Sequence, residues 1–263
     1  MKRFVFFIAI LFCNVVIADT ININWKNGDT TYEQSTCTIG GNLDVPTIAP
    51  TKYGYDFVGW NVLAAKELEY VRFSGLQYIN TGIAVDSDEI SFDIKFRGGG
   101  RTQKILGTGK GYGAYFVSEG FGLVFDNTSN TLFLSTSISN LPSLGLLDLS
   151  EVYSCIINIS NNSTKSELSG FCTGFNPIAT RVSKITNTDN VYLGTANINN
   201  VERATPGFSG NIYYFRIKKD GVLVLDLIPA LDPDGVVCFW DNISKTFFYN
   251  QGSGYLQAGP LKE

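Results

Sequence analysis

The sequence contains no histidine in its 263 residues. This absence excludes nucleophilic systems of the Ser/His and Cys/His types, and it excludes every metal site with a histidine ligand. A phosphate-binding loop is also missing, because the glycine-rich segments 98–100 and 107–111 lie between predicted strands and precede no helix. Any catalysis would have to rest on carboxylates.

A surplus of basic residues is missing as well. Lys and Arg together number 20, against 24 Asp and Glu residues, which gives a net charge of −4. The basic residues are scattered along the chain. An acidic chain of this kind disfavours nucleic acid and anionic membranes as primary partners.

Long apolar runs are scarce, and the one at the start covers residues 4–17. It follows Lys2 and Arg3 and is short for a bilayer span. Val16 and Ala18 satisfy the small-residue rule for signal-peptidase cleavage. We therefore predict a signal peptide that ends at Ala18. The mature chain is then secreted or held in the cell envelope, with no further membrane span, and a retained anchor helix is the alternative.

Aromatic residues make up 13% of the chain and glycine occurs 27 times. This composition is typical of many short strands joined by tight turns. In the segment EISFDIKF, apolar and polar residues alternate strictly, so Ile90, Phe92, Ile94 and Phe96 are predicted to face a core. About a dozen such segments, without an amphipathic helical pattern after the signal, predict a sandwich or a barrel.

The hairpin near the end of the chain allows its register to be predicted. A three-residue loop over 219–221, with glycine in the left-handed position, sets Phe215 opposite Leu225 and keeps one face apolar. A two-residue loop would set Phe215 against Asp226. The three-residue register is therefore predicted, and Asp226 is expected to form a surface ion pair with Arg216, which lies diagonal to it.

Four of the five cysteines, Cys37, Cys155, Cys172 and Cys238, remain after the predicted cleavage. An exported chain meets oxidising conditions, under which disulfides persist. A four-residue loop over 162–165 places Cys155 opposite Cys172 on one apolar face, which suits a cross-strand disulfide. Two buried reduced thiols are the alternative. No comparable argument pairs Cys37 with Cys238.

Residues 19–62 differ in composition from the rest of the chain. Ile21, Ile23 and Trp25 alternate with polar residues, and the segment ends near GYDFVGW. The Gly-Asn pair before a leucine, the spaced prolines and this ending resemble the internalin-type B-repeat, also called the Listeria-Bacteroides repeat. The opening departs from the usual pattern, and one copy is present. The resemblance implies a small β-grasp-like module of bacterial surface or secreted proteins.

Five segments occur in order through residues 63–263: EYVRFSGLQYINTGI, VYLGTAN, SGNIYYFRI, LVLDLIPA and FFYNQGSGYLQAG. Together they resemble the laminin-G-like group of the concanavalin A-like lectin/glucanase superfamily. The resemblance implies an all-β chain, with a two-sheet antiparallel jelly-roll sandwich after the β-grasp-like module. The expected division is a signal peptide over 1–18, the module over 19–62 and the jelly roll over 63–263. Cys238 replaces a more usual glycine and is expected to be a core thiol.

Glucanases of this superfamily carry glutamate, aspartate and glutamate at alternating positions of one strand. The nearest match here is Glu89, Ser91 and Asp93, in which serine takes the central place. A second candidate set, from Asp226 to Asp232, is interrupted by apolar residues and reaches a turn. We therefore predict no catalytic residues and a chain that is not an enzyme.

The resemblance also implies that calcium is possible at the rim of a sheet, bound by Asp, Asn and backbone oxygens. Asp126 and Asn127 are the candidate ligands, and an Asx turn is the competing role. Sugar binding would need an exposed aromatic ring with polar neighbours. Tyr112, Tyr115 and Trp240 are the candidates for that ring, and ordinary packing in the sandwich is the competing role for each.

These observations predict an exported, non-catalytic binding protein that recognises a glycan or a cell-surface protein. A structural component of the cell envelope without sugar affinity is the second hypothesis. A glycan hydrolase that depends on Glu89 or Asp93 is the third.

Overall fold

The computed structural model describes residues 2–7, 9–12, 20–27, 30–38, 55–61, 65–99, 103–110, 118–126, 128–135, 143–185, 189–198, 201–203 and 207–262. Side chains are described for residues 33–35 and, from residue 65 onward, for this set without 110, 118–119 and 201–203. All regular structure in the set is β-strand, and the search for a helix long and apolar enough to cross a membrane finds none there.

The strands of the described residues are numbered in chain order. They are β1 Lys2–Phe7, β2 Ala9–Phe12, β3 Thr20–Asn27, β4 Thr30–Thr38, β5 Tyr55–Asn61, β6 Lys66–Glu67, β7 Val71–Ser74, β8 Ile79–Ala84, β9 Glu89–Gly98, β10 Gln103–Lys110, β11 Ser118–Asp126, β12 Thr131–Ser135, β13 Ser143–Leu146, β14 Tyr153–Asn161, β15 Lys165–Cys172, β16 Ile178–Ser183, β17 Asn190–Leu193, β18 Ala196–Ile198, β19 Val201–Arg203, β20 Ser209–Lys219, β21 Val222–Leu231, β22 Val237–Asp241, β23 Thr246–Phe248 and β24 Gln257–Ala258.

The chain divides into two compact units, residues 1–66 with 232–234 and residues 67–231 with 235–263. In the first unit β1 pairs with β5 in parallel, and β2, β3 and β4 form an antiparallel sheet. The alternating strand predicted around Ile23 lies in β3. The signal peptide and the B-repeat module stay predictions.

The second unit contains two sheets. The larger has the order β16-β15-β14-β9-β20-β21-β22-β23, and the smaller has the order β13-β12-β11-β10-β17-β8. The two sheets pack face to face. A contact across the core shows this: Phe92 of β9 in the larger sheet stacks on Phe121 of β11 in the smaller sheet, with ring centroids 4.7 Å apart. The predicted all-β, two-sheet antiparallel sandwich is confirmed.

Strand β9 lies in the middle of the larger sheet, between β14 and β20. Ile90, Phe92, Ile94 and Phe96 are buried in the core, whereas the residues between them are partly exposed. The predicted alternation is therefore confirmed. Full burial of such a side chain contributes about 1.5–3 kcal/mol, so this one strand is a major source of stability.

The β20–β21 hairpin corrects the predicted register. Asp220 has φ 48° and Gly221 has φ 79°, the paired left-handed conformations of a two-residue type I′ turn. Val224 is an extra residue, since Ile217 pairs with Leu225 while Lys218 pairs with Leu223. This bulge shifts the register by one, so the apolar face survives with Phe215 opposite Leu227. The predicted three-residue loop is wrong because a bulge, not a longer turn, restores the pattern.

The β14–β15 hairpin has the predicted register. Cys155 pairs with Cys172, Ile157 with Gly170, and Ile159 with Leu168. A disulfide joins Cys155 to Cys172, and both residues are fully buried in the core. Cys238 is a buried thiol 3.5 Å from the carbonyl oxygen of Ala230.

The C-terminal segment is held against the loop between β7 and β8. The Asn250 side chain accepts from the backbone N–H of Tyr78 at 3.1 Å and donates to the carbonyl oxygens of Gly252 and Gly254. The Gln77 amide donates to the carbonyl oxygen of Ser253 at 3.1 Å. A Cβ on Gly252 would lie 2.1 Å from the carbonyl oxygen of Leu76, so this close approach requires glycine.

Candidate functional site

The larger sheet has one face in the core and one face turned away from it, which we call the outer face. Side chains of the central strands share this face by register: Lys95 pairs with Tyr214 and Asp93 with Arg216. On the other side of β9, Ser91 pairs with Asn158. Further out, Ile228 pairs with Trp240, and Trp240 pairs with Phe247.

A pocket of about 340 Å³ opens at one end of this face, and we call it the tyrosine pocket. Its apolar lining comes from Leu68, Tyr213, Ile228 and Pro229. Its polar lining combines donors and acceptors: Lys95, Tyr214, Arg216, Lys262, Glu67 and Glu69.

Two consecutive tyrosines line this pocket because β20 is irregular where they lie. Relative to β9, the register of β20 shifts between Ile212 and Tyr214. A bulge of this kind re-aims a side chain that strict alternation would send to the opposite face. Tyr213 therefore lines the pocket together with Tyr214, and its ring lies 5.6 Å from the Lys95 ammonium.

An ionic network forms the wall of the pocket beside Tyr214. The Arg216 Nε donates to Asp226 Oδ1 at 2.7 Å, and its Nη1 lies 3.9 Å from Asp93 Oδ2. The Tyr214 hydroxyl donates to Asp93 Oδ1 at 3.0 Å. The Arg216 guanidinium also lies over the Tyr214 ring, 4.7 Å from its centroid. These contacts hold both side chains in one orientation.

The ion pair between Arg216 and Asp226 was predicted, but on the surface and between diagonal positions of the hairpin. Asp226 lies directly opposite Arg216 and is 9% exposed, not on the open surface. The hydrogen bond that Arg216 donates to Asp226 raises the pKa of the Arg216 guanidinium. Burial raises the pKa of the Tyr214 phenol, with a contribution from Asp93. Tyr214 is therefore a protonated donor at neutral pH.

Trp240 lies beside the tyrosine pocket, because its register partner Ile228 lines that pocket. The indole is half-buried and packs on Phe247 with ring centroids 4.8 Å apart. Phe247 in turn lies 6.2 Å from Tyr249. Of the three aromatic candidates, Trp240 thus neighbours a residue of the pocket without lining the pocket itself, whereas Tyr112 and Tyr115 lie outside the described residues.

The candidate calcium ligand Asp126 is engaged in a turn. Its Oδ1 accepts from the backbone N–H of Thr128 at 3.0 Å, and its Oδ2 accepts from the Ser129 hydroxyl at 2.8 Å. Asn127 lies outside the described residues. Among the residues whose placement is described, no group of three or more Cys, Asp or Glu side chains could hold a metal ion. Calcium binding stays a prediction.

Glu89 and Asp93, the first carboxylates considered for hydrolysis, are too far apart along their strand to form an acid pair. Glu89 and Asp93 are four residues apart on β9, a separation of about 13 Å along a strand. Glycosidases need their two carboxyl groups about 5–9.5 Å apart. Asp93 is also bound by Tyr214 and Arg216.

The pocket residues Lys95, Tyr213, Tyr214 and Arg216 were not predicted as site residues from the sequence. One signal was present, since two adjacent tyrosines interrupt the alternation of SGNIYYFRI. The two tyrosines by themselves do not show which strands pair with the strand that carries them. The pairing of β20 with β9 and β21 is what brings these side chains together.

No family model and no curated protein matches the chain. Among solved structures, the CBM40 of the Ruminococcus gnavus IT-sialidase bound to α2,6 sialyllactose is 17% identical, with a TM-score of 0.41, and the match covers 60% of this chain and 92% of that one. Mouse laminin alpha1 domains LG4-5 are 10% identical, with a TM-score of 0.44, and the match covers 93% of this chain and 54% of that one. At these scores the similarity carries no argument about function.

Proposed function

We propose that this chain is an exported, non-catalytic binding protein of the bacterial surface or secretome, and that its sandwich recognises a glycan at the tyrosine pocket. The observation that carries the proposal is the lining of that pocket. Apolar surface from Tyr213, Ile228 and Pro229 lies within one volume of about 340 Å³ beside amines, a phenol and carboxylates.

This lining matches the chemistry of a sugar. A pyranose has an apolar ring face, which packs on aromatic and aliphatic side chains, and a rim of hydroxyls that both donate and accept. Lys95 and Arg216 supply donors, and Glu67, Glu69 and the oxygen of the Tyr214 hydroxyl supply acceptors. Because the pocket is built on paired strands, these groups are positioned before the ligand arrives.

The charges of the pocket favour a neutral glycan. Three cations face two carboxylates in the lining, and Lys262 is paired with Glu67 at 2.8 Å. The Arg216 charge is matched by Asp226 and Asp93. Little positive charge is left uncompensated, so an acidic sugar gains no strong attraction here.

A glycan array that displays neutral and acidic oligosaccharides, probed with the full chain purified after export, tests the proposal. Binding of neutral glycans is expected. Lys95→Ala should weaken it about tenfold or more, because a charge-assisted hydrogen bond contributes about 1.5–3 kcal/mol. The matched control is Arg97→Ala, a cation two residues along β9 that does not line the pocket.

Two outcomes contradict the proposal. Equal binding by Lys95→Ala and Arg97→Ala would place the glycan elsewhere. Absence of binding across the array, together with stable complexes with other envelope proteins, would favour the structural hypothesis instead.

A further inference from the structure

A second pocket, of about 380 Å³, opens on the same outer face, and we call it the serine pocket. Its polar lining comes from Glu89 and Ser91 of β9, Asn158 and Ser160 of β14, and Lys218 of β20. Nothing in the glycan site described above uses these residues.

The two pockets share two strands. Lys95 and Tyr214 line the tyrosine pocket, and Ser91 and Lys218 line the serine pocket, each pair facing across β9 and β20. Because Ser91 and Lys95 are four residues apart on one strand, the pockets are separated by about 13 Å.

The polar lining of the serine pocket consists of groups that bind hydroxyls. Ser91 is half-buried, Asn158 and Ser160 are exposed, and each lines the pocket, so their polar groups are accessible to a ligand. The Glu89 carboxylate and the Lys218 ammonium add one charge of each sign, so the pocket is close to neutral. It shares hydrogen-bonding groups and a small net charge with the tyrosine pocket, whereas its apolar lining comes from Ile90 and Ile159 and includes no aromatic ring.

The surface between the two pockets is open to a ligand. Asp93 lies there and is paired with Arg216 of the tyrosine pocket, and the side chains of Asp93 and Arg216 are 29% and 40% exposed. A chain that occupied both pockets would cross this ion pair and would find hydrogen-bonding groups along its whole path.

We propose that the serine pocket is a second subsite for the same neutral glycan, so that the ligand is an oligosaccharide running along β9 and β20 through both pockets. This inference rests on the proposed function. Sugar units in the second pocket bind as part of a molecule already held in the first, so longer chains bind more tightly.

The experiment compares chain lengths. Affinities for cello-, xylo-, manno- and laminari-oligosaccharides, from disaccharide to hexasaccharide, are measured by calorimetry on the full chain. The double variant Ser91→Ala/Asn158→Ala is expected to lose about tenfold in affinity for the longer chains, and to bind disaccharides as the parent does. Lys95→Ala should weaken binding at every length. The control is Asn176→Ala, an exposed amide away from both pockets, and thermal unfolding checks that each variant folds.

The outcomes separate this inference from the proposed function. Affinity that does not rise with length, or a double variant that binds long chains as well as the parent does, overturns the second subsite and leaves the tyrosine pocket in place. Equal loss at all lengths overturns it too. If the parent binds no member of the series, the proposed function fails and the second subsite fails with it.

Discussion

Arg216 and Asp226 face each other across the β20–β21 hairpin, with Nε of the arginine 2.7 Å from Oδ1 of the aspartate. The pair exists because Val224 forms a bulge that shifts the register by one residue. Asp226 Oδ2 also accepts from the Asn242 amide at 3.1 Å, and Asp226 N–H donates to Asp241. The carboxylate therefore connects the pocket wall to the β22–β23 turn.

Removal of the Asp226 carboxylate should destabilise the protein. Breaking a buried ion pair costs about 3–5 kcal/mol, but the Arg216 side chain is 40% exposed, so about 1–3 kcal/mol is expected for Asp226→Ala. Urea unfolding measures the change. The control is Glu167→Ala, which breaks the exposed pair with Arg181 and should change stability by less than about 1 kcal/mol. Equal effects of the two variants would contradict the buried role of Asp226.

Acid should weaken the contact between Asp86 and Lys219. The hydrogen bond from Lys219 lowers the pKa of Asp86 below 3.8 in the folded chain. The contact is therefore fully stabilising above the unfolded pKa, and its contribution is lost as the pH falls through the folded value. Below about pH 4, the free energy of unfolding should fall less steeply with decreasing pH in Asp86→Asn than in the parent. Urea titrations at several pH values, with Asp88→Asn as the control, measure this; a parent and variant with the same acid slope would disprove it.

Loss of the disulfide should be costly. The Cys155–Cys172 bridge spans 17 positions of sequence and lies in the core. Cys155→Ala/Cys172→Ala is expected to lose about 3 kcal/mol, since the unfolded chain regains the freedom that a bridge of this length removes. Reductant should destabilise the parent and leave the variant unchanged, and urea unfolding reads out both. A parent that is insensitive to reductant would show that the bridge contributes nothing.

The close contact of Gly252 with Leu76 gives a further test. Gly252→Ala should destabilise the chain by about 1–3 kcal/mol, because its Cβ would lie 2.1 Å from a backbone oxygen that cannot move freely. Gly98→Ala is the matched control, since the nearest atom to its Cβ is a flexible leucine methyl at 3.5 Å. Comparable melting temperatures for the two variants would contradict the packing of the C-terminal segment.

The sequence did not predict the residues that line the tyrosine pocket. Trp240, one of three aromatic candidates from the sequence, pairs with the pocket residue Ile228 and is not itself part of the lining, so its role in binding stays a prediction. Lys95, Tyr214 and Arg216 were not selected, since each reads as a solvated position on its own strand. They form a site because β9, β20 and β21 are adjacent, although β9 precedes β20 by more than a hundred residues.

The sequence by itself determined the features that depend on neighbouring residues. These are the inward face of β9 and the register of the β14–β15 hairpin, which result from the two-residue period of a strand and the length of one loop. The tertiary structure alone decided the bulge at Val224, the burial of Asp226 and the meeting of two pockets on one face. Those depend on which strands lie side by side, and that order is set by packing of the whole core, which no local pattern contains.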